Sequence, residues 1–481
     1  MMMSGIGLIL FLAAAQDWPQ HQNDAKRSGY AALDVPGPHR ITWRWHPADP
    51  KVTVSGKVQP VVAGGVVCVG YTNGVMYGLN SRTGAPLWSY AAGGSITHSA
   101  AMDSGRVYFG STNGTLYCLN ASNGQPVWSA KTGGPIHVAP LVFAGRAIAG
   151  STDGVLHAFD AASGAPSWTY DSGAPILTTA AGAGSTVYAG NERCQAFAVS
   201  ATTGAETWKV QLQGQSLSVY HPVVSTGANV AFFRTGPFNV FHEILGQGDT
   251  LLANGTAGGW NSGDGTAAQV TAEQDRIVSD LNANAAWRKT FWALNTSNGT
   301  EKYTVPALYT CGEGTVPVPP VVDDAGGRAW VIWRSLYARW DSGSIVRAYG
   351  AEPGKLDLTT GRITHFSTEA RASGQRGRFH AIGDETIILS AGGNRLWASS
   401  RGTLGGLDLG TEDAFHACAS FQNGDDYANG GPPYAYGGAW PEGSIQAGGG
   451  NGGGYCAGPA IADGGVFWFA RWGLLVRIDR Q

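Results

Sequence analysis

Forty residues separate Gly70-Tyr-Thr-Asn-Gly-Val-Met-Tyr-Gly-Leu-Asn80 from Gly110-Ser-Thr-Asn-Gly-Thr-Leu-Tyr-Cys-Leu-Asn120, and forty more lead to Gly150-Ser-Thr-Asp-Gly-Val-Leu-His-Ala-Phe-Asp160. Trp88, Trp128, Trp168 and Trp208 keep the same step, each four residues after a glycine, at Gly84, Gly124, Gly164 and Gly204. A fixed period of this size marks a propeller or a solenoid, because one such unit cannot bury its apolar faces alone.

The unit itself reads as strands. Gly105-Arg-Val-Tyr-Phe-Gly110, Gly114-Thr-Leu-Tyr-Cys-Leu-Asn120 and Pro126-Val-Trp-Ser-Ala130 are short and apolar, with a further strand in Ala139-Pro-Leu-Val-Phe143. Asn-Gly and Asp-Gly pairs supply the positive φ that tight hairpins need. Each unit is therefore expected to be a four-stranded antiparallel meander. Its closing signature recurs at Asn80, Asn120, Asp160, Ser200, Asn295, Asp357, Asp408 and Asp479, which makes eight units. The last copy, Leu475 to Asp479, lacks a fourth strand, while Ile41-Thr-Trp-Arg-Trp45 is an orphan strand near the start. Pairing the two leaves no open edge. The expected fold is all-β: an eight-bladed β-propeller of four-stranded antiparallel blades, its ring closed by the N-terminal strand.

Two intervals break the period, and insertions are expected at about 211–288 and 411–457. In the first, Thr266-Ala-Ala-Gln269 forms a capping box ahead of a short helix carrying Val270, Ile277 and Leu281. The second is Gly-rich, with Tyr434, Tyr436, Trp440 and Tyr455, which could stack on sugar rings or a partner chain and could equally cover blade edges.

Composition narrows the function classes. With net charge -3 and no long Lys/Arg run, the chain lacks the electrostatic footprint of a nucleic-acid binder. The apolar run Ile6 to Ala15 ends in three alanines that suit a signal peptidase site before Gln16 or Asp17. Residues 1–16 are thus expected to be a signal peptide, 17–481 one propeller, and the location secreted or periplasmic. The run is shorter than the roughly 20 residues a membrane span needs. Cys68 and Cys118 sit in apolar strand patterns as buried thiols. Cys418 and Cys456 flank the second insertion and could be bonded in an oxidising compartment.

The run Asn80-x-x-x-Gly84-x-x-x-Trp88 and its copies ending at Trp128 and Trp168 resemble the tryptophan-docking motif of the PQQ-binding-like propeller repeat family. Asp17-Trp18-Pro19-Gln20 with Ser28-Gly29 is similar to that family's opening, and Tyr303 and His365 occupy the Trp place in later, degenerate copies. The resemblance implies the propeller fold. The family holds quinoprotein alcohol dehydrogenases and also relatives of an outer-membrane assembly lipoprotein that keep the repeat without a quinone. The dehydrogenases imply calcium or a lanthanide, an Asp base and a vicinal Cys-Cys ring. This chain has no adjacent cysteines, no Cys-x-x-Cys-His and no Asp-x-Asn-x-Asp-Gly loop, and Asp323-Asp324 and Asp425-Asp426 read as turn residues. No cofactor and no metal site are expected, with PQQ plus calcium as the alternative.

Residues just ahead of each innermost strand face the axial funnel. In register these are Gln59, His98, Ser99, His137, Thr178, Tyr220, His221, Arg378 and His380. Imidazoles can ligate metals or act as bases, but these come from different blades, and the plainer reading is polar lining. No Gly-x-Ser-x-Gly elbow or His-Glu-x-x-His helix is present. The leading expectation is a monomeric, non-catalytic scaffold for an envelope or extracellular protein or glycan. A PQQ-dependent dehydrogenase comes second and a polysaccharide-acting enzyme using the funnel histidines third.

Overall fold

The computed structural model describes residues 16–214, 217, 221–235, 267–283, 289–306, 319–341, 344–365, 389–400, 403–412, 414–418, 458–469 and 473–481. Its strands form eight sheets, seven of four strands and one that gains a fifth. Blade 1 runs outward from the axis as Val61–Ala63, Val66–Gly70, Val75–Asn80 and Pro86–Ala91. The innermost strands of blades 2 to 8 are Ala101–Asp103, Leu141–Phe143, Ala181–Ala183, Val223–Ser225, Val321–Asp323, Leu389–Gly392 and Ala460–Ala462. Each lies beside that of the next blade, and the eighth lies beside the first, so the ring is complete.

The core sits between blades. Val61, Cys68 and Met76 of blade 1 pack on Val107, Phe109 and Leu119 of blade 2. At the rim only one face is covered: in Pro166–Asp171 the one buried residue is Trp168. That indole is the repeating joint. Trp88 donates its N–H to Ala121 O of the next blade at 2.8 Å, and Trp128, Trp168 and Trp208 do the same to Ala161, Ala201 and Thr296 at 3.1, 2.9 and 2.9 Å. The receiving turn must be glycine, since a Cβ on Gly124 would stand 2.7 Å from the Trp88 ring and its φ is +70°. Tyr303 makes the joint from blade 5 to blade 6, its hydroxyl donating to Leu358 O at 2.8 Å. The side chain of His365 lies outside the described residues.

His39–Trp45 pairs antiparallel with Leu475–Arg480, matching Ile41 with Ile478 and Trp45 with Leu475. Trp43 on this strand then docks on blade 1 through Ser81 O at 3.0 Å, so the closing strand also supplies the joint from blade 8 to blade 1. Cys68, Cys118 and Cys194 are free and buried.

The two intervals that break the period need correcting in their bounds. Val223–Ser225 and Val230–Arg234 lie within 211–288 and are the two inner strands of blade 5, while Ala414–Cys418, within 411–457, is the rim strand of blade 7. The extra chain is therefore 235–290 and 419–459. The helix α1, Ala267–Ala283, forms where the capping box places it. Its Gln274 amide bridges the rim strand of blade 6, accepting from Ile363 N at 3.0 Å and donating to Ile363 O, which satisfies an otherwise open edge.

A meander sends its turns to alternate faces of the ring. The first-to-second strand turns, such as 64–65, 144–145 and 463–464, and the third-to-fourth turns of blades 1 to 7, such as 81–85 and 161–165, are short and share one face, the turn face, which residues 32–38 also cross on the way to the closing strand. The long connections 235–290, 305–320, 366–388 and 419–459 all leave from the other, the loop face. The hairpin Arg328–Asp341 and Ser344–Leu356 of blade 6, with strands of 14 and 13 residues, reverses on that side too.

Candidate functional site: the strapped axis

The innermost strands present their free edges to the axis, where unmade backbone hydrogen bonds would be costly. Residues 16–31 satisfy them one blade at a time. Gln16 O accepts from Asp463 N of blade 8 at 2.9 Å, and Trp18 exchanges two bonds with Val62 of blade 1 at 2.7 and 2.9 Å. Pro19 O accepts from Met102 N of blade 2 at 2.7 Å, and the Gln20 side-chain amide stands in for backbone on Val142 of blade 3, with both bonds at 3.0 Å. Ala25, Lys26, Ser28 and Gly29 then take N–H groups from Gly182, Val224, Val322 and Ala391 of blades 4 to 7 at 2.7, 3.0, 2.8 and 2.7 Å. Tyr30–Ala31 completes the circuit as a parallel fifth strand on Leu389–Gly392. This strap reaches all eight blades in ring order.

A tight reversal makes the circuit possible. Gln22, Asn23 and Arg27 adopt φ of 55°, 72° and 59°, and Gly29 one of 64°. Arg27 is fully buried and braces the reversal: Nε donates to Ala180 O at 2.9 Å, Nη1 to His21 O at 3.0 Å and Nη2 to Pro140 O at 3.2 Å. Burial pulls its pKa down to about 9, against the opposing pull of Asp24.

On the loop-face side of the strap stands a buried imidazole cluster. His21, His98 and His221 are 3%, 8% and 4% exposed. The His21 ring meets His98 and His221 edge-on, with centroids 4.7 and 4.8 Å apart. His21 Nε2 lies 3.2 Å from His221 Nδ1, and His21 Nδ1 lies 3.0 Å from Ser99 Oγ. His98 Nδ1 accepts the Ser99 N–H at 2.8 Å, which leaves its Nε2 as the protonated nitrogen, 3.2 Å from Thr179 Oγ1. Burial first, and then the neighbouring imidazoles and cations, hold His21 and His98 well below the ordinary histidine range; burial brings His221 down to about 3. At neutral pH all three are uncharged.

The funnel residues expected from register divide accordingly. Gln59, fully buried, is a strap anchor: its Oε1 accepts from Trp18 Nε1 at 3.1 Å and Gln22 N at 2.7 Å, and its Nε2 donates to Gly458 O at 2.8 Å. His98, Ser99 and His221 converge, although they are not exposed lining, because the strap fills the space they would face. Thr178 is buried and donates to Leu217 O. His137 stands apart, half-buried, with Nδ1 3.3 Å from Thr97 Oγ1, and burial and then Lys57 lower its pKa. Tyr220, Arg378, His380, Cys456 and the side chain of Cys418 lie outside the described residues. Register reasoning missed His21 and Arg27. Their only signal was the Asp17 to Gly29 opening itself. Among the described residues no group of three His, Cys, Asp or Glu side chains is arranged to hold a metal.

The family described as outer membrane protein assembly factor BamB, built on PQQ-like repeats, matches residues 24–96 and 82–305, more than half of the chain. The chain belongs to this family. Its solved likenesses are diverse. The quinohemoprotein alcohol dehydrogenase of Comamonas testosteroni is 13% identical with a TM-score of 0.57, covering 96% of this chain and 80% of that one. BamB from Moraxella catarrhalis is 10% identical at 0.52, covering 92% and 99%. The computationally designed Ika8 protein is 12% identical at 0.51, covering 89% and 98%. At such identities the likeness shows the PQQ-like propeller fold alone, shared by an enzyme, an assembly factor and a design. No curated protein matches the chain. Among the described residues no helix is long and apolar enough to cross a membrane.

Proposed function

We propose that this protein is an exported, monomeric, non-catalytic scaffold that engages an envelope protein through its loop face. The observation that supports this reading is that the connections 235–290, 305–320, 366–388 and 419–459 all leave from that face, while the opposite face carries short turns and the segment 32–38. A rigid ring presenting variable loops on one side suits recognition. Membership in the BamB family favours a protein over a glycan as partner.

The described axis does not fit a quinone cofactor. PQQ carries three carboxylates, yet the Arg27 guanidinium is wholly buried and committed to three backbone carbonyls, and the neighbouring imidazoles are neutral. The chain also has no adjacent cysteine pair to pack on such a ring.

Two measurements test the reading. Purified protein titrated with PQQ and calcium should show no saturable rise in melting temperature, since a real site stabilises the fold by mass action; a saturable rise with dye reduction by an alcohol overturns it in favour of a dehydrogenase. Photocrosslinkers placed in the native host at exposed Asn73 and Arg193 of the loop face should give one discrete protein adduct, and those at Ser122 and Thr202 of the turn face none. Equal labelling from both faces counts against a loop-face scaffold.

A further inference from the structure

The strap is held at the axis by contacts that tolerate only a limited number of protons. Between His21 Nε2 and His221 Nδ1, 3.2 Å apart, one nitrogen donates and the other must accept. If both rings were imidazolium, N–H would face N–H. His98 Nδ1 is in the same position against the Ser99 N–H at 2.8 Å, a donor that cannot rotate away because it is backbone. His21 belongs to the strap, whereas His98 and His221 belong to blades 2 and 5. A second proton on the His21–His221 pair therefore sets strap against ring, and one on His98 disturbs the blade 2 segment on which the His21 ring rests.

The charges around the cluster sharpen the effect. Among the described residues, Arg27 faces all three imidazoles from the strap and Lys57 faces His98 from the connection into blade 1. Glu192 of blade 4 and His137 of blade 3 act on the cluster through Lys57. Asp24 lies against Arg27, and burial raises its carboxyl above the usual range. Lys26 is paired with Asp324 of blade 6 at 2.6 Å. Among the described residues no carboxylate touches an imidazole of the cluster, so none of them offsets the new charge.

We infer that residues 16–31 form an acid-released latch, in which protonation of His21, His98 and His221 ejects the strap from the axis while the blades remain folded. This device is independent of the partner proposed above. Released, the imidazoles titrate near ~6.5; docked, they resist protonation to lower pH. Below the released value the undocked state holds more protons, so docking is at full strength above about pH 6.5 and weakens as pH falls.

Hydrogen exchange of the native protein tests this, corrected for intrinsic rates. The reporters are the Val62, Met102, Gly182, Val224, Val322 and Ala391 amides, whose acceptors are strap carbonyls. Their protection should fall by about a hundredfold per protonating imidazole between about pH 6.5 and 4.5, one decade per pH unit per proton. Amides of the middle strands, such as Val67 and Leu79, should keep theirs, and circular dichroism should keep its β signal. In the triple variant His21→Gln, His98→Gln, His221→Gln the reporters should stay protected across the range. If that variant does not fold, His221→Gln alone should lower the pH slope by one proton, and Asp24→Asn should leave it unchanged. Reporters that stay protected in the native protein overturn the latch, as do simultaneous loss in the middle strands or a slope that follows Asp24 instead of the histidines.

Discussion

The rim and the axis hold the same eight blades together by opposite means. At the rim one joint is repeated, an indole N–H on the carbonyl of the neighbouring turn with a glycine beneath the ring, as in Trp88 on Ala121 and Gly124. At the axis the receiving end repeats, an inner-strand N–H on a strap oxygen, but each blade is served by a different strap residue: one by the backbone of Trp18, another by the side chain of Gln20 and a third by Gly29. A repeated joint binds each blade to its neighbour, whereas the single strap binds all blades to one segment. Loss of a rim joint should therefore weaken one blade interface, whereas loss of the strap should weaken the inner strands around the whole ring at once and leave the middle strands folded.

The largest effect is expected from a chain beginning at Leu33. It would leave the inner-strand N–H groups of Val62, Met102, Gly182, Val224, Val322 and Ala391 without acceptors, each worth about 1 kcal/mol or more when buried. The melting temperature should fall by more than for any single rim substitution while the β signal is kept; a melt like that of the full chain would show that the axis contributes nothing the rim does not supply. Next in size is Trp88→Ala, which should cost about 3–5 kcal/mol in denaturant titration, as for other buried tryptophans. Gly124→Ala alone should cost about 1–3 kcal/mol by forcing the ring aside. Most of that cost should vanish in the Trp88→Ala background, because the two act on one joint. Additive costs would separate them. The smallest effect is expected at Arg82→Ala on the turn face, where a well-exposed guanidinium pairs with Asp463 at 2.8 Å; about 0–1 kcal/mol is anticipated, and a larger loss would make the turn-face ion pairs a third means of holding the ring.

The rim was legible in the sequence because its chemistry recurs. A Trp four residues after a Gly, forty residues on from the last, can be found by aligning the chain with itself, and so can the strand that lacks a partner at each end. The axis was not legible by that method. Gln16, Trp18, Gln20 and Ala25 each serve a different blade, so nothing in the segment repeats, and His21 gave no sign that it would meet His98 and His221. Register did place His98 and His221 near the axis, but could not show that the space before them was already filled. The insertions were visible as breaks in period, yet their bounds were not, because Val223–Ser225 and Val230–Arg234 carry neither the Trp nor the Asn-Gly that marks other blades.

The closing strand has a consequence for the order of events in the cell. Thr42 bonds to Arg477 across 435 residues, and Gln59 to Gly458 across 399. Contacts so distant along the chain form slowly, because the intervening segment must be ordered first. His39–Trp45 thus reaches its place only after Leu475–Arg480 has been made. Until Leu475–Arg480 is made, His39–Trp45 has no strand to pair with, and the ring stays open between blades 8 and 1.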